Sequence, residues 1–167
     1  VVATASPAWL RVSGLPTVQQ LQQAYAYGVG HLLNVSGVNV YEVYQQPDLP
    51  EFVISQTVFT DIFTTKPMQT DFNRVSSDMY MQIANEDERQ ALLSAVQTLF
   101  ALVSQQIPVW VFCHRGIGRS PLVVAAALHK YYGDSGKQAI ARTYEIQPAA
   151  HFSEISLSAM QWCQEQW

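Results

Sequence analysis

Between Val109 and Pro121 the chain reads Val-Trp-Val-Phe-Cys-His-Arg-Gly-Ile-Gly-Arg-Ser-Pro, an apolar run ending on a cysteine, with an arginine after five intervening residues. A thiol at a helix N-terminus and beside an arginine is held as the thiolate at neutral pH, and the thiolate is the nucleophile. The Arg119 guanidinium is always charged and offers a planar fork that fits two phosphate oxygens. Gly116 and Gly118 let the backbone between them curl until several N–H groups converge on one anion. A helix starting just beyond adds its N-terminal field to that anion site. Together these residues suit the attack of Cys113 on a phosphorus held by Arg119 and the loop.

Such a loop works only if a strand and a helix hold its two ends. Ile107 to Phe112, entered through Pro108, has the β-branched and aromatic content of a buried strand. Ser120 and Pro121 read as a helix cap and first helical residue, followed by an Ala/Leu-rich helix to Tyr132. Upstream, Trp9 to Val12 reads as a strand, and Thr17 with Gln20 as a capping box opening a helix that Gly28 and Gly30 end. His31 to Val35 and Phe52 to Phe59 read as further strands. Helices are expected at about Phe72 to Ile83, Glu88 to Gln105, Pro121 to Tyr132, Gly136 to Tyr144 and Ser153 to Gln166. The alternation predicts an α/β fold, a mainly parallel central sheet with helices on both faces and the reactive loop at a strand's C-terminal end.

With 167 residues, of which 49% are hydrophobic and 13% charged, the chain suits one domain, residues 1–167, with one substantial core. A net charge of −4 without lysine or arginine clusters argues against a nucleic-acid surface. No apolar run reaches membrane-spanning length. Cys113 and Cys163 are the only cysteines and form no CxxC pair, so no disulfide framework is expected. His31, His129 and His151 have no ligand spacing with one another or with the cysteines, and neither a metal site nor a cofactor is read. This suits a cytoplasmic enzyme; the start at Val1, without methionine, reads as a trimmed or processed end and leaves secretion open. Nothing in the sequence sets the oligomeric state.

Cys113-His-Arg-Gly-Ile-Gly-Arg119-Ser120 resembles the signature loop of the cysteine-dependent phosphatases, close to the dual-specificity and bacterial tyrosine phosphatases. The similarity is strong over Pro108 to Tyr132. It is suggestive over Ser13 to Ser36, where Gly-Leu-Pro-Thr leads into a helix and His-Leu-Leu-Asn-Val-Ser follows. The resemblance implies that Cys113 forms a cysteinyl-phosphate and that Arg119 binds substrate and transition state. It implies that the amides of His114, Arg115, Gly116, Ile117, Gly118 and Arg119 cradle the phosphate oxygens, and that Ser120 donates to the departing thiolate. Two positions depart from the family: Phe112 stands where histidine is usual, and Gln147-Pro148 where Arg-Pro is common.

The family also uses an aspartate as general acid, since an alkoxide or phenolate leaves poorly unaided. Asp87 with Gln90 reads as a capping box before an amphipathic helix, and Asp71 as a cap before Phe72, Val75, Met79 and Ile83. Asp78 falls on the polar side of that helix. Asp61 ends a strand-like run, where an active-site loop should begin, and is the expected acid; Asp78 and Asp87 are the alternatives. Arg115 would add positive charge at the loop mouth, favouring acidic phosphopeptides or phosphoinositides. The expected activity is hydrolysis of phosphotyrosine, with phosphoserine or phosphothreonine, on a protein or small phosphoester. The alternatives are a phosphoinositide phosphatase of the same fold and a phosphate-binding module without turnover.

Overall fold

The computed structural model describes residues 9–44, 49–64, 75–133 and 135–167. In chain order the elements are β1 (Leu10–Ser13), α1 (Val18–Ala26), β2 (His31–Asn34), α2 (Val40–Val43), β3 (Val53–Gln56), α3 (Asp78–Ile83), α4 (Glu86–Ser104), β4 (Val109–Phe112), α5 (Arg119–Tyr132), α6 (Gly136–Ile146) and α7 (Glu154–Glu165). The strands form one sheet in the order β1-β4-β2-β3, and every pairing is parallel.

The register positions the site. Ser13 and Asn34 both pair with Phe112, and Asn34 pairs with Gln56, so the last residues of all four strands lie in line. The segments that follow, at Gly14, Cys113, Val35 and Thr57, therefore leave from one edge, where open α/β sheets place their ligand crevice.

Period-two alternation divides the core. On β4, Val109 and Val111 join a large cluster with residues of α4, α5, α6 and α7. Trp110 and Phe112 turn the other way, onto Leu21 and Ala24 of α1 and Val40 of α2. All four β4 residues are buried, as is α5 from Ser120 to His129, whereas the edge strands β1 and β3 are partly exposed. Each large apolar side chain taken from water contributes about 1.5–3 kcal/mol, so the strand and helix that flank the reactive loop are the best anchored pair in the sheet. No described helix is long and apolar enough to cross a membrane.

The capping box of Thr17 and Gln20 is present, and Tyr27 ends α1 just before Gly28 at φ +97°. Three helix starts differ from expectation. The helix after the reactive loop begins at Arg119 with Gly118 before it, and Ser120 makes no cap bond because its hydroxyl is engaged elsewhere. Pro121 is accepted in that first turn, where backbone N–H groups have no partner within the helix. The long helix is capped by Asn85, whose Oδ1 accepts from Glu88 N–H at 2.9 Å, and not by Asp87. This start gathers Glu86, Asp87 and Glu88 in the first turn, where the helix field favours carboxylates. Of the expected Phe72 to Ile83 helix the described part is helical from Asp78; Val75 and Ser76 are not helical, and Asp71 to Arg74 lie outside the described residues. The single turn α2 was not expected.

Candidate active site

The centre of the sheet delivers Cys113 to the C-terminal edge, 3% exposed. Its backbone N–H donates to Ser13 O at 3.2 Å, continuing the β1–β4 ladder by one residue. The chain then turns through Gly116 at φ +77°, a conformation that favours glycine, and the Gly116 N–H donates to Cys113 Sγ at 3.2 Å. Outside groups take the loop carbonyls. Leu15 N–H donates to His114 O at 3.2 Å, Gln147 Nε2 to Gly116 O at 2.9 Å, and His151 N–H to Ile117 O at 2.7 Å. A trans peptide points its C=O and N–H in opposite directions. The amides of Arg115, Ile117 and Gly118 are thereby turned away from those partners, as a cradle for an anion requires.

The approach between β1 and this loop is close. A Cβ on Gly14 would lie 2.9 Å from His114 O and from Arg115 C, and one on Gly116 would lie 2.2 Å from Gly14 N. Ser13 and Gly14 thus form the floor of the loop. Phe112, the departure from the family pattern, is fully buried in the cluster on the α1 face of the sheet. Its side chain points away from the sulfur, and backbone bonds from Ser13, Leu15 and His151 order the loop around it. Gln147, the other departure, orders the loop through its side-chain amide.

Arg119 opens α5, and its Nη1 donates to Ser36 O at 3.0 Å. Ser36 is itself fixed. Fully buried Asn34 accepts from Ser36 N–H at 2.9 Å and from Ser36 Oγ at 2.5 Å, and donates to Val38 O at 2.7 Å. The Arg119 Nε is buried and has no hydrogen-bond partner among the described residues. A buried cationic donor without a partner is costly, and an oxyanion in the loop would satisfy it. Ser120 Oγ lies 3.2 Å from Cys113 Sγ and 3.3 Å from Ser13 O. Its one proton can serve either acceptor, the thiolate included.

Of the three candidate acids, Asp61 is the one that meets the loop. A Cβ built on Gly118 would lie 3.1 Å from Asp61 Oδ1 and 2.7 Å from Thr64 Cγ2. Asp61 is exposed, and Phe63 N–H donates to its Oδ1 at 3.4 Å. Asp78 opens α3, which packs on α7, and Asp87 lies exposed in the first turn of α4. His114 and Arg115 are exposed on the loop. Sequence reasoning gave no role to Ser13, Gly14, Ser36 or Glu88. The run His31-Leu-Leu-Asn-Val-Ser36 carried a signal for one of them, a polar Asn-x-Ser directly after an apolar strand.

Cys163, on α7, is buried among apolar side chains, and burial pushes its thiol up to about 12.

No protein-family model matches the chain, and no curated protein matches its sequence. Solved structures do match. Human DUSP28 superposes with a TM-score of 0.67 at 19% identity, covering 96% of this chain and 94% of that one. Tk-PTP in its active form gives 0.64 at 16% identity, with 96% and 94% covered. PTPMT1 in complex with PI(5)P gives 0.64 at 14% identity, with 95% and 91% covered. The chain has the fold of the dual-specificity and tyrosine phosphatases.

Proposed function

We propose that the protein is a metal-independent phosphomonoesterase that hydrolyses phosphotyrosine, with phosphoserine or phosphothreonine, through a cysteinyl-phosphate. What carries the reading is the convergence of three segments: Cys113 after β4, Arg119 with its unpartnered Nε at the start of α5, and Asp61 against Gly118. The amides of His114 to Arg119 and the Arg119 fork bind the phosphate oxygens. Cys113 Sγ attacks phosphorus in line, the bond to the leaving oxygen breaks with its electron pair, and the Asp61 carboxylic acid gives that oxygen its proton. Water then attacks phosphorus while the Asp61 carboxylate takes its proton. The S–P bond breaks, phosphate leaves, and Ser120 donates to the thiolate so released. Phosphatase structures aligned over 96% of the chain support reading residues 1–167 as one such domain. A nucleophilic thiol works best in a reducing compartment, which suits the cytoplasm.

A second reading, a phosphoinositide phosphatase, is favoured by the PTPMT1 structure that holds PI(5)P and by the exposed Arg115 on the loop. The deciding experiment measures p-nitrophenyl phosphate, phosphotyrosine peptide and phosphoinositide hydrolysis with chelator present. Cys113→Ser is expected to reduce all turnover to background, and persistence of activity sinks the proposal. On the phosphotyrosine peptide, Asp61→Asn is expected to lower kcat by on the order of 10²–10⁴-fold and to flatten one limb of the pH profile. A higher kcat/KM for phosphoinositide than for phosphopeptide would select the second reading.

A further inference from the structure

We propose that Glu88 is a positioning residue for the acid loop, gripping Thr60 so that the neighbouring Asp61 carboxylate stays at the phosphate loop. The inference rests on Asp61 being the general acid. Glu88 accepts two hydrogen bonds from one residue, Thr60 N–H to Oε2 at 2.7 Å and Thr60 Oγ to Oε1 at 2.8 Å. Both carboxylate oxygens are used, and such charge-assisted bonds are roughly twice as strong as neutral ones.

The grip is rigid at its helical end. Glu88 is in the first turn of α4, its N–H bound by Asn85, and the next residue, Arg89, donates to Ala84 O at 2.6 Å and to Met81 O at 3.3 Å, tying down the end of α3. At the loop end the described residues supply little else. Phe59 and Phe63 are buried anchors, but Thr60 and Asp61 between them are exposed. Thr60 and Ile62 border a cavity of about 260 Å³ that Glu88 also lines, so among the described residues that flank of the loop is not packed. Asp61's own bond to Phe63 N–H is long, 3.4 Å. Glu88 therefore sets where the carboxylate stands without touching the phosphate loop itself.

Loss of the grip should cost proton delivery and spare phosphate binding. The test compares kcat for p-nitrophenyl phosphate, whose leaving group needs little protonation, with kcat for phenyl phosphate, whose leaving group needs more. It uses wild type, Glu88→Ala, Thr60→Ser, Asp61→Asn and the Glu88→Ala/Asp61→Asn double variant. Glu88→Ala is expected to lose about tenfold on phenyl phosphate, part of the 10²–10⁴-fold that a general acid supplies, and clearly less on p-nitrophenyl phosphate. Vanadate inhibition should be unchanged, Thr60→Ser should behave as wild type, and the double variant should be no slower than Asp61→Asn. An equal loss on both substrates, or a full additional loss in the double variant, overturns the proposal as a merely structural effect. Failure of the underlying reading shows elsewhere, as an Asp61→Asn variant with unaltered leaving-group dependence while Glu88 is intact.

Discussion

The phosphate loop and the acid loop leave the same sheet edge, yet they are held by different means. The phosphate loop sits between a fully buried strand and a buried helix, and four of its carbonyls, those of His114, Gly116, Ile117 and Gly118, accept bonds from Leu15, Gln147, His151 and Leu122. The acid loop follows the edge strand β3 and is exposed at Thr60 and Asp61, where one carboxylate from a distant helix grips it. On the proposed roles, the anion site is thereby preorganised, while the proton donor, Asp61, rests on a few long-range contacts. Anion binding and proton delivery would then have separate supports, so that proton delivery can be lost while binding stays.

The largest effect should come from Gly116→Ala, which attacks the well-held loop. The new Cβ would lie 2.2 Å from Gly14 N and 2.3 Å from Ser13 C, both backbone atoms, at a φ of +77°. Neither atom can move without unpairing the end of β1. We expect turnover and vanadate binding to vanish together and stability to fall by about 1–3 kcal/mol or more, read by inhibition assay and thermal melting. Retained vanadate binding would mean that the loop is more pliable than its contacts indicate.

Gly118→Ala attacks the boundary between the two loops and should cost less. Here the Cβ would meet the tips of side chains, Thr64 Cγ2 at 2.7 Å and Asp61 Oδ1 at 3.1 Å, and the backbone at Gly118 has a negative φ that alanine accepts. The acid loop is the partner that yields. We expect kcat to fall on the order of 10²-fold, the low end of what removing a general acid costs, with vanadate affinity within a few-fold of wild type. A matching fall in vanadate affinity would erase the distinction between the two loops.

The same distinction governs what could be read from the sequence. The reactive loop is legible because thiol, guanidinium and both glycines lie within seven consecutive residues and are flanked by an apolar strand and a helix. Its supports are not, because Ser13, Leu15, Ser36 and His151 act through backbone atoms, which any residue carries and only the fold brings near. Gln147 was visible only as a departure, and its amide supplies a bond to the loop. Ser120 reads in the sequence as a cap and as a donor to the thiolate; the cap gives way because Gly118 precedes the helix and the hydroxyl turns to sulfur. Asp61 is singled out in the sequence by its place after the Phe52 to Phe59 run, of which only Val53–Gln56 is strand, and the cap expected of Asp87 belongs to Asn85. Glu88 left no signal at all, since a glutamate in the first turn of a helix is ordinarily explained by the helix field alone.

The smallest effect lies at the opposite edge of the sheet and separates folding from catalysis along the pH axis. His31 begins β2, paired with Val53 and Val109, and its Nε2 lies 2.9 Å from Ser55 Oγ. Burial lowers its pKa below the ordinary 6.5. The unfolded chain therefore takes up a proton that the folded chain resists, so this histidine's contribution is fully present above 6.5 and is lost as pH falls through the lowered folded value. His31→Gln keeps a side chain able to bond Ser55 and removes the titration, so Tm measured from pH 7 to 5 should decline less than in wild type. The kcat profile over the same range should be unchanged, because β2 runs from His31 at one edge to Asn34 at the other, and the catalytic segments leave only from the latter. Asp61→Asn should alter the kcat profile itself. If His31→Gln also moved the kcat limb, that limb would report partial unfolding of the acid loop's strand in place of proton transfer, because among the described residues β3 pairs only with β2 and a disturbance at the His31–Ser55 contact would be felt along β3 toward Asp61.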